Sequence, residues 1–306
     1  MCTVWSSDRL KLKHPAHASA RYKREEKEAG GAEETHSISD GPKSLKVAVK
    51  SRARHVGLAR AMSKLGYCSR SQAAKLIGEG RVRLNGKVVR DAEAPVRMGS
   101  DRIEVDEETL KAEAKVYLML NKPRGAVTTA SDEKGRETVY DYLPEGMPWL
   151  APVGRLDKAS EGLLLLTNDS EWAARIAAPQ THLDKTYHVQ VQGDCGEDLP
   201  GALKNGVRAK DGEVLRAKSV EILRVGERNM WLEIVLDEGR NRQIRRMLES
   251  SGKEVRRLVR VAIGPLALGD LAKGCCRALS ASEKKALDLA MRAKSSSQRA
   301  TSEARG

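Results

Sequence analysis

The chain has 306 residues, enough for about two domains. Its 55 basic and 42 acidic side chains leave a net charge of +13, an excess that suits a polyanionic partner. Hydrophobic residues make up 40% without the run of ~18 that a membrane helix needs, which excludes a transmembrane helix.

The five cysteines are scattered and form no C-x-x-C pair, which argues against a disulfide framework or structural zinc and for a reducing compartment. The charge is uneven: +5 over residues 1–57, +4 over 58–106, +1 over 107–280 and +3 over 281–306. Within the nearly neutral third segment, residues 239–260 carry a local +6.

Residues 1–56 lack a sustained apolar period and read as a disordered basic extension. Their basic stretch 9–24 has some character of an organellar transit segment, but the acidic run from Glu25 to Glu34 favours a cytoplasmic protein. From Leu58 the pattern changes. Leu58, Ala61, Met62 and Leu65 fall at helical spacing, and Gly66 closes that helix. A second helix opens on the capping box Ser69 to Gln72 and buries Ala73, Leu76 and Ile77, with Gly78 and Gly80 as stop signals. Residues 81–89 then predict two strands around an Asn85-Gly86 turn, and 102–106 a last strand. These residues, 57–106, make a small basic module.

The second segment, 113–280, opens with a strand over 115–120 that ends at Asn121-Lys122-Pro123-Arg124-Gly125. Further strands are expected at 163–167, 185–191, 220–224 and 230–236, and helices at 170–177, 241–250 and 282–293, with Ser170 as the cap of the first of these helices. Strands and helices do not alternate regularly, so the expected class is α+β with a mixed or antiparallel sheet. Residues 281–306 read as a terminal helix and a solvated tail.

Nucleotide hydrolysis finds no support. Gly80 and Gly86-Lys87 have five residues between them where a P-loop has four, and Val88 stands where the hydroxyl should be. There is no G-x-G-x-x-G turn, and the six histidines have no metal spacing, His182 and His188 reading as loop and strand surface residues. A reaction without metal or cofactor is expected.

What remains is Gly154-Arg155-Leu156-Asp157-Lys158-Ala159-Ser160-Glu161-Gly162, followed by the apolar run from Leu163. An acid in a glycine-bracketed turn before a buried strand is held rigidly at a sheet edge. By residue type alone Asp157 is more often a turn residue than a nucleophile. The whole motif reverses that preference, because it resembles the signature of pseudouridine synthases of the RsuA/RluB/RluF type. The resemblance extends from 58 to about 280 and includes residues 120–125, Lys185-Thr186-Tyr187, residues 238–247 and Leu258-Val259-Arg260. Residues 58–106 in turn resemble the S-four (alpha-L) RNA-binding domain.

The resemblance implies a cofactor-free isomerisation of uridine to pseudouridine in ribosomal RNA or a pre-ribosomal particle, with the large-subunit RNA favoured by residues 135–144 and 241–246. Such an enzyme extrudes the nucleotide from its stack. Asp157 is then the essential carboxylate, acting either by adding to the sugar or by removing a proton to form a glycal. Tyr187 stacks on the uracil, and Arg245 pairs with and orients Asp157. Ile244 and Leu258 wall the base. Arg155, Lys185, Arg242, Arg246 and Arg260 serve substrate binding, with Arg242 and Arg246 directed to phosphates. Arg60, Lys64, Arg70, Lys75, Arg81 and Arg83 face folded RNA from the small module. The expected protein is a monomer that binds no membrane. Competing readings are a small-subunit synthase, a non-catalytic ribosome-assembly factor, or a glycosidase, for which no second acid besides Asp169 offers itself.

Overall fold

The computed structural model describes residues 55–130, 132, 134–181, 183–193 and 198–303, with side chains to 292. The expectations for residues 1–54 and for His182 lie outside the described residues.

The small module contains β1 (His55–Gly57), α1 (Leu58–Lys64), α2 (Arg70–Gly78), β2 (Val82–Leu84), β3 (Lys87–Val88), β4 (Pro95–Arg97), β5 (Ile103–Val105) and β6 (Glu108–Thr109). The capping box forms as read: Ser69 accepts from Gln72 N at 3.1 Å while Gln72 accepts from Ser69 N at 3.0 Å. Asn85 and Gly86 both take positive φ, so the chain reverses in two residues between β2 and β3. Leu58, Ala61, Met62, Ala73 and Ile77 pack with Val82, Val96, Ile103 and Val105 into one core.

The larger part contains β7 (Tyr117–Lys122), β8 (Ala151–Pro152), β9 (Glu161–Thr167), α3 (Ser170–Ala177), β10 (Lys185–Gln192), α4 (Asp198–Asn205), β11 (Val207–Arg208), β12 (Val214–Leu215), β13 (Ser219–Val225), β14 (Asn229–Leu236), α5 (Gln243–Ser250), β15 (Val255–Ile263), β16 (Leu266–Ala267), β17 (Cys276–Ala278) and α6 (Ala281–Glu303). Its main sheet runs β13-β14-β10-β15-β9-β7-β17, with β16 on β15 and β8 on β9. The β9–β15 pair is parallel and the others antiparallel, so the sheet is mixed. Both faces are covered, which explains the unbroken apolar run of β9. Leu163 and Leu165 pack with Trp172, Ile176, Leu287 and Met291, whereas Leu164 and Leu166 pack with Leu118, Leu120 and Leu156.

Three local expectations change. Asp169, not Ser170, caps α3, its carboxylate accepting from Trp172 N at 3.1 Å and from the Tyr117 hydroxyl at 2.8 Å. The helix expected from 241 starts at Gln243, because Arg242 sits in the left-handed region at φ 49°. The C-terminal helix continues to Glu303 where a solvated tail was expected. No glycine or proline interrupts residues 281–303, and nothing else in that composition stops a helix. Cys68 and Cys276 are free thiols, whereas Cys275 is disulfide-bonded, a link the scattered cysteines had not suggested.

The small module is seated on the larger part. Trp149 N donates to Gly66 O at 2.9 Å and Glu113 N to Leu65 O at 3.1 Å. Lys64 pairs with Glu171 at 3.2 Å.

Candidate active site

The segment from Gly154 to Ser160 joins β8 to β9, and its backbone is tied down from outside. Leu156 O accepts from Thr128 Oγ1 at 2.8 Å. Asp157 O accepts from Lys122 Nζ at 3.2 Å, and Ser160 O from the same ammonium at 2.9 Å. Lys158 O accepts from Gly125 N at 2.8 Å, and Ala159 O from Arg245 Nη2 at 3.1 Å. Five successive carbonyls are thus each bound by a group outside the loop, so the Asp157 backbone has little freedom to shift. At the loop's end Gly162 has φ +101°, and a Cβ there would collide with Arg260 O across the parallel pair.

Lys122 is fully buried at the end of β7. Besides the two loop carbonyls it donates to Pro123 O at 3.1 Å. Three acceptors match the three hydrogens of an ammonium and exceed the two of a neutral amine. Burial pushes its pKa down to about 8, against the opposing pull of Glu161 and Asp157. Glu161, four residues after Asp157, is buried with Arg257 Nε at 3.0 Å and Lys273 Nζ at 2.6 Å. Those two bonds hold its carboxyl below the usual range although burial opposes them. The Arg257 guanidinium also lies 5.9 Å from the Trp231 ring centroid.

Asp157 itself is about one-third exposed, and Arg242 Nη1 approaches its Oδ2 to 3.7 Å. Arg245 was expected to partner Asp157 and Arg242 to meet phosphates; both lie near the carboxylate. Arg242 is the direct ionic neighbour, and its left-handed backbone points it there at a cost of order 1 kcal/mol. Arg245 grips the loop through Ala159 O while remaining in the field of Asp157. Burial lowers the Arg245 pKa first, and the guanidinia of Arg242 and Arg124 lower it further. Arg242 and Arg245 beside one carboxylate leave a local cationic excess, which suits phosphates beside a reacting nucleotide.

A cavity of about 440 Å³ opens on this loop, lined by Val127, Thr128, Thr129, Asp132, Lys134, Arg136, Arg155, Leu156, Asp157 and Lys158. Tyr187 lies half-buried on β10 and packs against both the Leu156 cluster and the cluster of Ile244 and Leu258. The structure thereby gathers Asp157, Arg155, Arg242, Arg245, Tyr187, Ile244 and Leu258 at one seam of the sheet. Lys185 stands half-buried at the start of β10, opposite Ile263 and Leu236.

The remaining expected residues differ in what they contact. Arg260 is buried, its Nε donating to Leu163 O at 2.7 Å, so it braces β9 beneath the site. Arg246 is held by Asp211 at 2.5 Å and Glu213 at 2.6 Å. In the small module Arg81 is paired with Asp106 and Glu79, and Lys64 with Glu171. Arg83 donates only to Gly86 O, at 3.3 Å. Arg60, Arg70 and Lys75 are exposed, with no hydrogen-bond or ion-pair partner among the described residues.

Sequence reasoning passed over Lys122, Thr128 and Glu161 as site residues. Lys122 and Glu161 both stood within the motif segments 120–125 and 154–162, and Lys122 carried a further signal as a lysine in an apolar strand just before Pro123.

Residues 116–250 match the RNA pseudouridylate synthase family and residues 56–103 the S4 domain. The ribosomal large subunit pseudouridine synthase B of Bacillus subtilis (strain 168) is 39% identical over 232 residues, covering 75% of this chain and 94% of that protein. The chain belongs to the RNA pseudouridine synthase family. An uncharacterised RNA pseudouridine synthase of Aquifex aeolicus is 40% identical over 223 residues, covering 72% of this chain and 89% of that protein. A crystal structure of a pseudouridylate synthase superposes with a TM-score of 0.54 at 30% identity, covering 76% of this chain and 99% of the other. As a pseudouridine synthase the chain is an isomerase acting on RNA, with an S4 RNA-binding domain ahead of its synthase domain.

Proposed function

We propose that this pseudouridine synthase isomerises a specific uridine of large-subunit ribosomal RNA, as a monomer in the bacterial cytoplasm, with residues 57–106 docking RNA and 113–280 performing the reaction. The observation that carries the catalytic assignment is the Asp157 loop: one partly exposed carboxylate, on a backbone held at five carbonyls, beside Arg242 at 3.7 Å. Breaking and remaking a glycosidic bond needs an ionised carboxylate at a fixed position against the ribose. Asp157 is that group. Arg242 orients it and Arg245 holds the loop. Tyr187 stacks on the extruded uracil over a floor containing Ile244 and Leu258. Arg155 and Lys185 contact the substrate nucleotide and its neighbours.

Large-subunit RNA is favoured by the similarity to the Bacillus subtilis protein named for that subunit. The test of target is a pseudouridine map of ribosomal RNA from a deletion strain complemented with wild type or Asp157→Asn. One large-subunit site should be restored by wild type alone. Restoration by Asp157→Asn, or turnover within about tenfold of wild type in single-turnover assays, removes Asp157 from its role. Restoration at a small-subunit site instead moves the target.

A further inference from the structure

Thr128 makes two contacts to the residue that precedes Asp157. Its hydroxyl donates to Leu156 O at 2.8 Å and lies 3.4 Å from Leu156 N, which donates back to it. Among the described side chains that grip the catalytic loop it is the one hydroxyl; Lys122 and Arg245 are the others and both are cationic. Thr128 also lines the same cavity as Asp157.

Its own backbone is fixed from behind. Val127 N donates to Glu137 O at 2.8 Å and Val139 N to Val127 O at 3.0 Å, so both ends of the segment carrying Asp132, Lys134 and Arg136 close beside Thr128. Val127 and Thr138 form a bridge at that closure. The hydroxyl therefore connects two walls of the cavity, one bearing the carboxylate and one bearing cations. Leu156 is buried in the cluster that Tyr187 packs against, so the residue before Asp157 is held both by Thr128 and by the surroundings of the ring.

We propose that Thr128 is a positioning residue for the isomerisation: its hydroxyl sets the place of Asp157 through Leu156. This rests on the assignment of Asp157 above. A displacement of about 1 Å at a reacting group lowers rates by up to roughly a hundredfold. Loss of the hydroxyl leaves every cation of the cleft in place, so it slows the chemical step and spares RNA affinity.

The experiment compares wild type, Thr128→Val, Thr128→Ser and Asp157→Asn by single-turnover rate at saturating RNA, RNA affinity and thermal midpoint. Thr128→Val keeps the volume and removes the hydroxyl; Thr128→Ser keeps the hydroxyl and removes a methyl. The expected result is a rate between about tenfold and a hundredfold down for Thr128→Val at unchanged RNA affinity, with Thr128→Ser within about threefold of wild type. A Thr128→Val rate equal to wild type while Asp157→Asn is inactive overturns the inference and leaves the catalytic assignment standing. Equal losses in the Val and Ser variants also overturn it, because they trace the effect to packing. An active Asp157→Asn protein overturns the site assignment itself.

Discussion

The S4 module and the stretch from Arg240 to Arg260 are both rich in cations, yet they use them differently. In the module, Arg60, Arg70 and Lys75 stand exposed without partners among the described residues. In the stretch, Arg240 pairs with Glu213 and Glu238, Arg246 with Asp211 and Glu213, Arg256 with Glu254 and Arg257 with Glu161. The first set is available to phosphates. The second is mostly occupied in holding the catalytic domain's own loops. A count of cations in a sequence therefore does not by itself give the charge offered to a partner once carboxylates fold against them.

The largest effect should come from breaking that internal use of charge. Glu161→Ala leaves Arg257, Lys273 and buried Lys122 without their common anion. Glu161 is buried but Arg257 and Lys273 are about half-exposed, so solvent takes up part of the charge left behind and the loss should be about 2 kcal/mol. Chemical denaturation should register that loss, and turnover should fall with it as the Asp157 loop loosens. A variant as stable as wild type would mean that solvent already neutralises these cations, and the contrast between the two regions would shrink.

A second effect follows from the burial of Lys122. Its proton is lost near pH 8 in the folded protein and near 10.5 when unfolded. Between those values the unfolded chain binds more protons, so this group's contribution to stability rises with pH across that window. Loop order changes in the opposite direction, because a neutral amine has two hydrogens for the three carbonyls of Pro123, Asp157 and Ser160. Single-turnover rates at saturating RNA should decline above about pH 8 while this group does not lower the thermal midpoint. A rate that stays flat to pH 10 would show that the loop does not depend on the third bond.

Much of the fold was legible because its determinants are local. The Ser69–Gln72 capping box, the Asn85-Gly86 reversal and the apolar alternation of β14 each lie within a few residues of sequence. The turn that carries Asp157 was legible through its motif. The support beneath it was not: Lys122 reaches carbonyls 35 and 38 residues on, and Arg245 one 86 residues back. The misplaced cap at Ser170 has a different origin. Asp169 and Ser170 are both good caps, and the Tyr117 hydroxyl, 52 residues away, bonds the Asp169 side chain. Arg246 and Arg260 were expected to bind substrate, and the carboxylates of Asp211 and Glu213 and the carbonyl of Leu163 that they meet lie far off in sequence.

The module's share of RNA affinity is tested by Arg60→Ala, Arg70→Ala and Lys75→Ala combined. Each lost phosphate contact should reduce the slope of log affinity against log salt by about 1, so the triple variant should flatten it by up to about 3. Chemistry at saturating RNA should persist, since Asp157, Tyr187 and Arg245 are untouched. An unchanged slope would mean that these exposed cations point away from the bound RNA.

The smallest effect, and the sharpest use of the contrast, is expected from Arg246→Ala. By charge count this change resembles any one of the three module substitutions. In the fold, however, Arg246 Nη2 already has Asp211 at 2.5 Å and Glu213 at 2.6 Å, and its side chain is only 21% exposed. Recruiting it to a phosphate would strand two carboxylates beside the RNA, so little of its charge reaches the polyanion. The salt slope should stay that of wild type, with little change in stability, because Asp211 and Glu213 are partly solvated and the second retains Arg240 at 2.7 Å. If Arg246→Ala instead flattens the slope by about 1, the ion pairs of this stretch open on RNA binding, and the catalytic domain's cations contribute to docking as the module's do.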